Sequence, residues 1–101
     1  MEKVYVAELM RITKWASGDI TAHSLSYGSD DIDDVKRWIL LTIYSDMNDG
    51  VYSRGMHLLD GGRIENVEAA EVGKWYPYAH SNERNKDMHA RYTYSITERC
   101  I

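Results

Sequence analysis

A chain of 101 residues with sixteen acidic and twelve basic side chains carries a net charge of −4, which is length enough for one hydrophobic core and too little for two, and argues against a sequence-independent grip on nucleic-acid backbone. Cys100 is the only cysteine, which excludes an intramolecular disulfide and an all-cysteine metal site. The longest strongly apolar stretch, Trp38 to Ile43, is interrupted by Thr42 and falls far short of the roughly 20 residues of a membrane helix.

The opening MEKVYVAEL lacks the basic region, long apolar run and small-residue cleavage site of a secretory signal. With the lone cysteine, this predicts a cytoplasmic protein. From Lys3 to Trp15, Val4, Val6, Met10 and Ile12 alternate with Tyr5, Leu9 and Trp15, the pattern of a strand covered on much of both faces. Ala16-Ser17-Gly18-Asp19 supplies turn chemistry, so Ile20 to Tyr27 reads as the second strand of a hairpin. Ile32, Val35, Ile39 and Ile43 then recur at three- and four-residue steps and predict a helix over Asp30 to Asp49, with Ser29 or Asp30 as its N-cap and Gly50 closing it.

Val51 to Leu59 reads as extended, and Asp60-Gly61-Gly62 as the turn into a further run starting at Arg63. Ile64 to Val72 fits a short helix or a strand, the strand being preferred. His80 to Asp87 (HSNERNKD) is polar throughout and follows the only proline, Pro77, which predicts a solvated loop. Ala90, Tyr92, Tyr94 and Ile96 alternate with Arg91, Thr93, Ser95 and Thr97, the cleanest period-two pattern in the chain. The order β-β-α-β-β-β describes a single domain over residues 1–101. Its class is α+β, with one main helix packed on an antiparallel sheet of about five strands.

Chemistry-bearing constellations are few. His23, His57, His80 and His89 are scattered over separate elements and belong to no paired-histidine metal motif, although His57 and His89 would meet if their strands were neighbours. Asp46-Met47-Asn48-Asp49-Gly50 places glycine at position five and His57 at position twelve, where a calcium loop needs glycine at six and Glu at twelve. Cys100, one residue from the C-terminus, is poorly held for nucleophilic geometry, and the glycines lack phosphate-loop spacing. No metal, cofactor or catalytic group is predicted, and a non-enzymatic binding module is the leading class.

Two charged features compete for the binding surface. Asp30, Asp31, Asp33 and Asp34 crowd one helical turn, where the dipole needs one or two carboxylates; the surplus predicts a surface for a basic partner, such as a groove that normally holds nucleic acid. The polar stretch Pro77 to Met88 adds Tyr78, Glu83 and Arg84 as candidate contacts. The alternative is a small nucleic-acid-binding regulator, in which Arg84, Lys86, His89, Arg91 and Arg99 lie among Tyr76, Tyr78, Tyr92 and Tyr94; against it, Tyr92 and Tyr94 share their strand face with Ile96. Eight Tyr and three Trp with no Phe fit either half-exposed strands or a part-wet interface.

The short acidic, tyrosine-rich chain, whose hairpin leads into an acidic helix start at SYGSDDIDDVKRWIL, resembles the small accessory proteins of bacteriophages and other mobile elements. That resemblance implies binding and inhibition of a host protein, for example a CRISPR effector, a restriction enzyme or another defence factor, and it assigns no individual residue. A homodimer is a further expectation if the final strand has an exposed edge.

Overall fold

The computed structural model describes residues 2–48, 56–83 and 88–101, without the side chains of Asn82 and Glu83. Five strands form one antiparallel sheet: β1 (Lys3–Lys14), β2 (Ile20–Ser29), β3 (Met56–Leu58), β4 (Trp75–Glu83) and β5 (Met88–Cys100), in the spatial order β2-β1-β5-β4-β3. A long helix, α1 (Ile32–Asn48), and a short one, α2 (Ile64–Glu68), lie on one face. The α+β class and the helix-on-sheet packing expected from the pattern are both present, and no helix among the described residues is long and apolar enough to cross a membrane.

The β1–β2 hairpin turns through Ala16-Ser17-Gly18. The Gly18 N–H donates to the Trp15 carbonyl and the Trp15 N–H to the Asp19 carbonyl, each at 2.9 Å. Gly18 sits at φ +89, a left-handed conformation that a side chain would strain, as in a three-residue hairpin loop closed by a bulge. Ten residue pairs then zip β2 to β1, from Lys14 with Ile20 to Tyr5 with Ser29.

The stripe on α1 does what its spacing predicts. Val35, Ile39 and Ile43 are fully buried, and burying such a side chain contributes about 1.5–3 kcal/mol. Opposite them stand Ala7 and Leu9 of β1 and Tyr92, Tyr94 and Ile96 of β5. Tyr27 stacks on Trp38 with ring centroids 5.3 Å apart, pinning the helix to the hairpin. Lys36 Nζ donates to the Glu68 carbonyl at 2.7 Å, joining α1 to the last turn of α2.

The core is built from tyrosine where other chains use phenylalanine. Tyr78, Tyr92 and Tyr94 are buried and their rings pack together, Tyr78 lying 5.7 Å from Tyr92 and 6.0 Å from Tyr94. Polar tips find backbone partners too: the Tyr94 hydroxyl donates to the Gly61 carbonyl at 2.8 Å, and the hydroxyl of the neighbouring Tyr76 accepts the Glu71 N–H at 2.9 Å. Buried hydroxyls need such partners. Tyrosine here therefore ties loops to the sheet as well as filling volume.

Four expectations are corrected. The helix starts at Ile32 and its N-cap is Asp31, not Ser29 or Asp30, because the Asp31 carboxylate accepts the Asp33 N–H at 2.9 Å while the Asp31 carbonyl takes the first helical bond, from Val35. Ile64–Glu68 is helical rather than extended, since Val67 is its one fully buried contact with the core and a single turn delivers it. Asp60–Gly62 is a 3-10 turn leading into that helix, so no second hairpin forms there. His80–Glu83, expected in a loop, continues β4, because hydrogen bonding to both β3 and β5 outweighs the low strand propensity of a polar run. Residues 84–87 of that loop, the helix end at Asp49-Gly50 and the extended run at 51–55 lie outside the described residues.

Candidate functional site

At the helix start the four aspartates divide by task. Asp31 caps the helix. Asp34 is half-buried and accepts the Tyr27 hydroxyl at 2.7 Å; that bond, with help from the Ser29 hydroxyl and from Arg37, holds its carboxyl below the usual range, and the same bond raises the Tyr27 phenol. Arg37 stands 3.6 Å away. Asp30 and Asp33 are exposed, and their carboxylates take no part in any of these contacts. The surplus charge seen in the sequence thus reduces to two exposed carboxylates, those of Asp30 and Asp33, that neither cap the helix nor take the Tyr27 hydroxyl.

These two carboxylates stand where β2 ends, and β2 is an edge strand. The Trp15–Asp19 hydrogen bond marks that residue pair as the bonded kind, and bonded pairs recur every second residue in an antiparallel ladder. Thr21, His23, Leu25 and Tyr27 therefore turn their amides and carbonyls toward β1. Ile20, Ala22, Ser24, Ser26 and Gly28 turn theirs outward, where no strand follows in the sheet order. The Ile101 N–H bonds the Glu2 carbonyl at 3.0 Å, so β1 serves β5 with its even-numbered residues, in agreement with this phase. Natural edges are blunted by lysine, proline or bulges. The β2 sequence ITAHSLSYGS has no Lys, Arg, Asp, Glu or Pro, and its register with β1 runs without a bulge.

The remaining predicted contacts fare differently. Tyr78 is 2 % exposed and is no surface residue: it shares the core face with Tyr76, two residues before it, and its ring packs beside Tyr92. The bulge between Pro77 and Ala79 then shifts the phase, so that Ala79 and Ser81 also face inward and His80 outward, and burial pushes the Tyr78 phenol well above the ordinary value. Glu83 ends β4, its backbone paired with Met88. Arg84 lies outside the described residues. The basic-aromatic surface is split, with Tyr92 and Tyr94 buried against the helices and Arg91 on the opposite face. The histidine expected beside His57 was His89; the neighbour is His80, at 5.1 Å between ring centroids, because β4 separates β3 from β5. The final strand is central, so the sheet's edges are β2 and the three-residue β3, not β5.

On the helix side, a cleft of about 350 Å³ lies between the hairpin and the far end of α1, lined by Arg11, His23, Asp46, Tyr78 and Tyr92 among others. Among the described residues no group of three or more His, Cys, Asp or Glu side chains is placed to hold a metal ion. Cys100 is exposed at the end of β5. The outward groups of Ser24 and Ser26 belong to the backbone and so form no side-chain motif; the sign of the edge in the sequence is a run of ten residues without Lys, Arg, Asp, Glu or Pro. No protein-family model matches the chain, and no curated protein or solved structure matches it either.

Proposed function

We propose that this chain is a non-enzymatic protein-binding module that inhibits a host protein by taking an extended segment of it along the outer edge of β2. The observation that carries the proposal is that unblunted edge, whose outward groups belong to Ile20, Ala22, Ser24, Ser26 and Gly28. A partner strand laid there gains a net of about 0.5–1.5 kcal/mol per ladder hydrogen bond. Ile20, 67 % exposed, and Leu25, 57 % exposed, add apolar contacts on the two faces. Asp30 and Asp33, just beyond the edge, favour a segment that continues into basic residues, such as those lining a nucleic-acid groove, where carboxylates stand in for phosphates. That chemistry accords with an inhibitor of a nucleic-acid-handling defence effector.

The test is affinity capture from a bacterial lysate with the wild-type chain and two variants. Ser24→Pro removes an outward N–H without costing a β1–β2 ladder bond, since that amide faces away from β1. A stoichiometric protein captured by the wild type and lost with Ser24→Pro, with unchanged circular dichroism, supports edge pairing. Its weakening in Asp30→Asn/Asp33→Asn supports the acidic flank. A partner held equally by wild type and Ser24→Pro refutes the edge as the binding surface.

A further inference from the structure

Among the described residues no helix lies over the face of the sheet away from α1, and the described side chains of that face carry a charge opposite to that of the chain as a whole. Directly opposed residues of antiparallel strands share a face, so the registers place His57, His80, Arg91, Ile12 and Ala22 in one row across all five strands. The His57 and His80 rings are 5.1 Å apart, and His57 and Arg91 are exposed. One step along the same face Lys14 stands opposite His89. From Lys14 on β1 to His57 on β3 the row crosses three strand spacings, about 14 Å.

Along this row a groove of about 430 Å³ opens where the bulge parts β4 from β5, walled by Leu59, Pro77, His80, His89, Arg91 and Thr93. The strand registers put one acidic residue with a described side chain on this face, Glu8, four residues from Ile12 and so about 13 Å along β1. Among the described residues Lys14 and Arg91 are not among the cations seen in ion pairs, such as Lys3, Arg37, Arg63 and Lys74. The acidic residues of the helix start and of α2 lie on the other side of the sheet. The net charge of −4 therefore does not describe this face.

We infer that the row His57–His80–Arg91 with Lys14 is a binding site for single-stranded nucleic acid, separate from the β2 edge. Arg91 and Lys14 supply phosphate contacts, and the imidazole pair supplies planes on which unstacked bases rest. The site spans about 14 Å, room for a short run of nucleotides of an extended single strand. A flat sheet face offers no helix to enter a duplex groove. A phosphopeptide would call for clustered arginines, and the face has one in the row.

Fluorescence anisotropy with a labelled single-stranded oligonucleotide of about a dozen nucleotides, at low salt and up to about 100 µM protein, tests this against the weak end of non-specific affinities. Saturable binding that weakens as salt rises is expected. Arg91→Gln/Lys14→Gln should lower the affinity tenfold or more and flatten the salt dependence by about two phosphate contacts. His57→Ala/His80→Ala should lower it at least about fivefold, the loss of a stacked base. Ser24→Pro should leave it unchanged. Circular dichroism of each exposed variant establishes that it is folded. Absence of saturable binding, binding unaltered in Arg91→Gln/Lys14→Gln, equal loss in Ser24→Pro, or a preference for an acidic or phosphorylated peptide over the oligonucleotide would each overturn the assignment. None of these results bears on protein capture by the edge, so the two readings fail separately.

Discussion

Replacing Tyr94 with phenylalanine removes one hydroxyl from the middle of the central strand and leaves every ring contact in place. Tyr94 is fully buried, and its hydroxyl donates to the Gly61 carbonyl at 2.8 Å, tying the 3-10 turn before α2 to β5. The net worth of such a bond is about 0.5–1.5 kcal/mol, and a buried acceptor left unsatisfied costs about 1–3 kcal/mol. Gly61 is half-buried, so water reaches its carbonyl in part and a loss of about 1–2 kcal/mol is expected at neutral pH. For a chain of this length each kcal/mol moves Tm by about 4–8 °C.

The same residue predicts how stability depends on alkaline pH. Burial, with the Tyr76 ring beside it, pushes the Tyr94 phenol up to about 12 from an ordinary value of 10.0. Between those values the unfolded phenol has lost its proton while the buried one keeps it. The folded state then holds more protons, and stability falls as pH rises. The contribution is fully present below about pH 10 and is lost on the way to pH 12, amounting to about 2–3 kcal/mol for the two-unit difference. Tyr78 is raised too, so Tyr94→Phe should shrink the alkaline fall without abolishing it. Urea denaturation at pH 7 and at steps between pH 9 and pH 12 measures both effects. A stability change below about 0.5 kcal/mol at pH 7 together with an unchanged alkaline slope would refute the account, since such changes are ordinary for surface sites.

Two further outcomes follow from particular contacts. Asp31→Ala should cost about 1 kcal/mol in urea denaturation through loss of the cap on the Asp33 N–H, whereas Asp30→Ala should change stability by less than half of that; equal effects would mean that charge, not capping, is what the helix start requires. A Cβ at Gly61 would press inside contact distance of the Pro77 carbonyl, which is backbone and cannot swing away. Gly61→Ala should therefore destabilise by about 1–3 kcal/mol through overpacking, and a neutral result in thermal melts would show that the turn can retreat from β4.

Much of the fold was legible because its signals are local. Ile32, Val35, Ile39 and Ile43 define a helical stripe whichever sheet it rests on. The alternation from Ala90 to Ile96 marks a strand through side-chain period alone, and Gly18 marks the first turn. The aspartate cluster was equally visible, yet its division into a cap, a hydroxyl acceptor and two solvent-facing carboxylates depends on Tyr27 and Ser29, which the hairpin brings to the helix start. Tyr78 shows the opposite case: polar neighbours in the chain suggested a surface contact, and the pairing of β4 with β5 set it on the core face with Tyr76.

The sequence by itself determined the helix, the hairpin and the period of the final strand, because hydrophobic spacing and turn chemistry act within a few residues. Only the tertiary structure decided that β5 lies at the centre and β2 at the edge, that His80 rather than His89 neighbours His57, and that HSNE is strand. Those facts follow from which strands exchange backbone hydrogen bonds. The backbone groups that do so are the same in every residue but proline, and so leave almost no trace in the order of side chains.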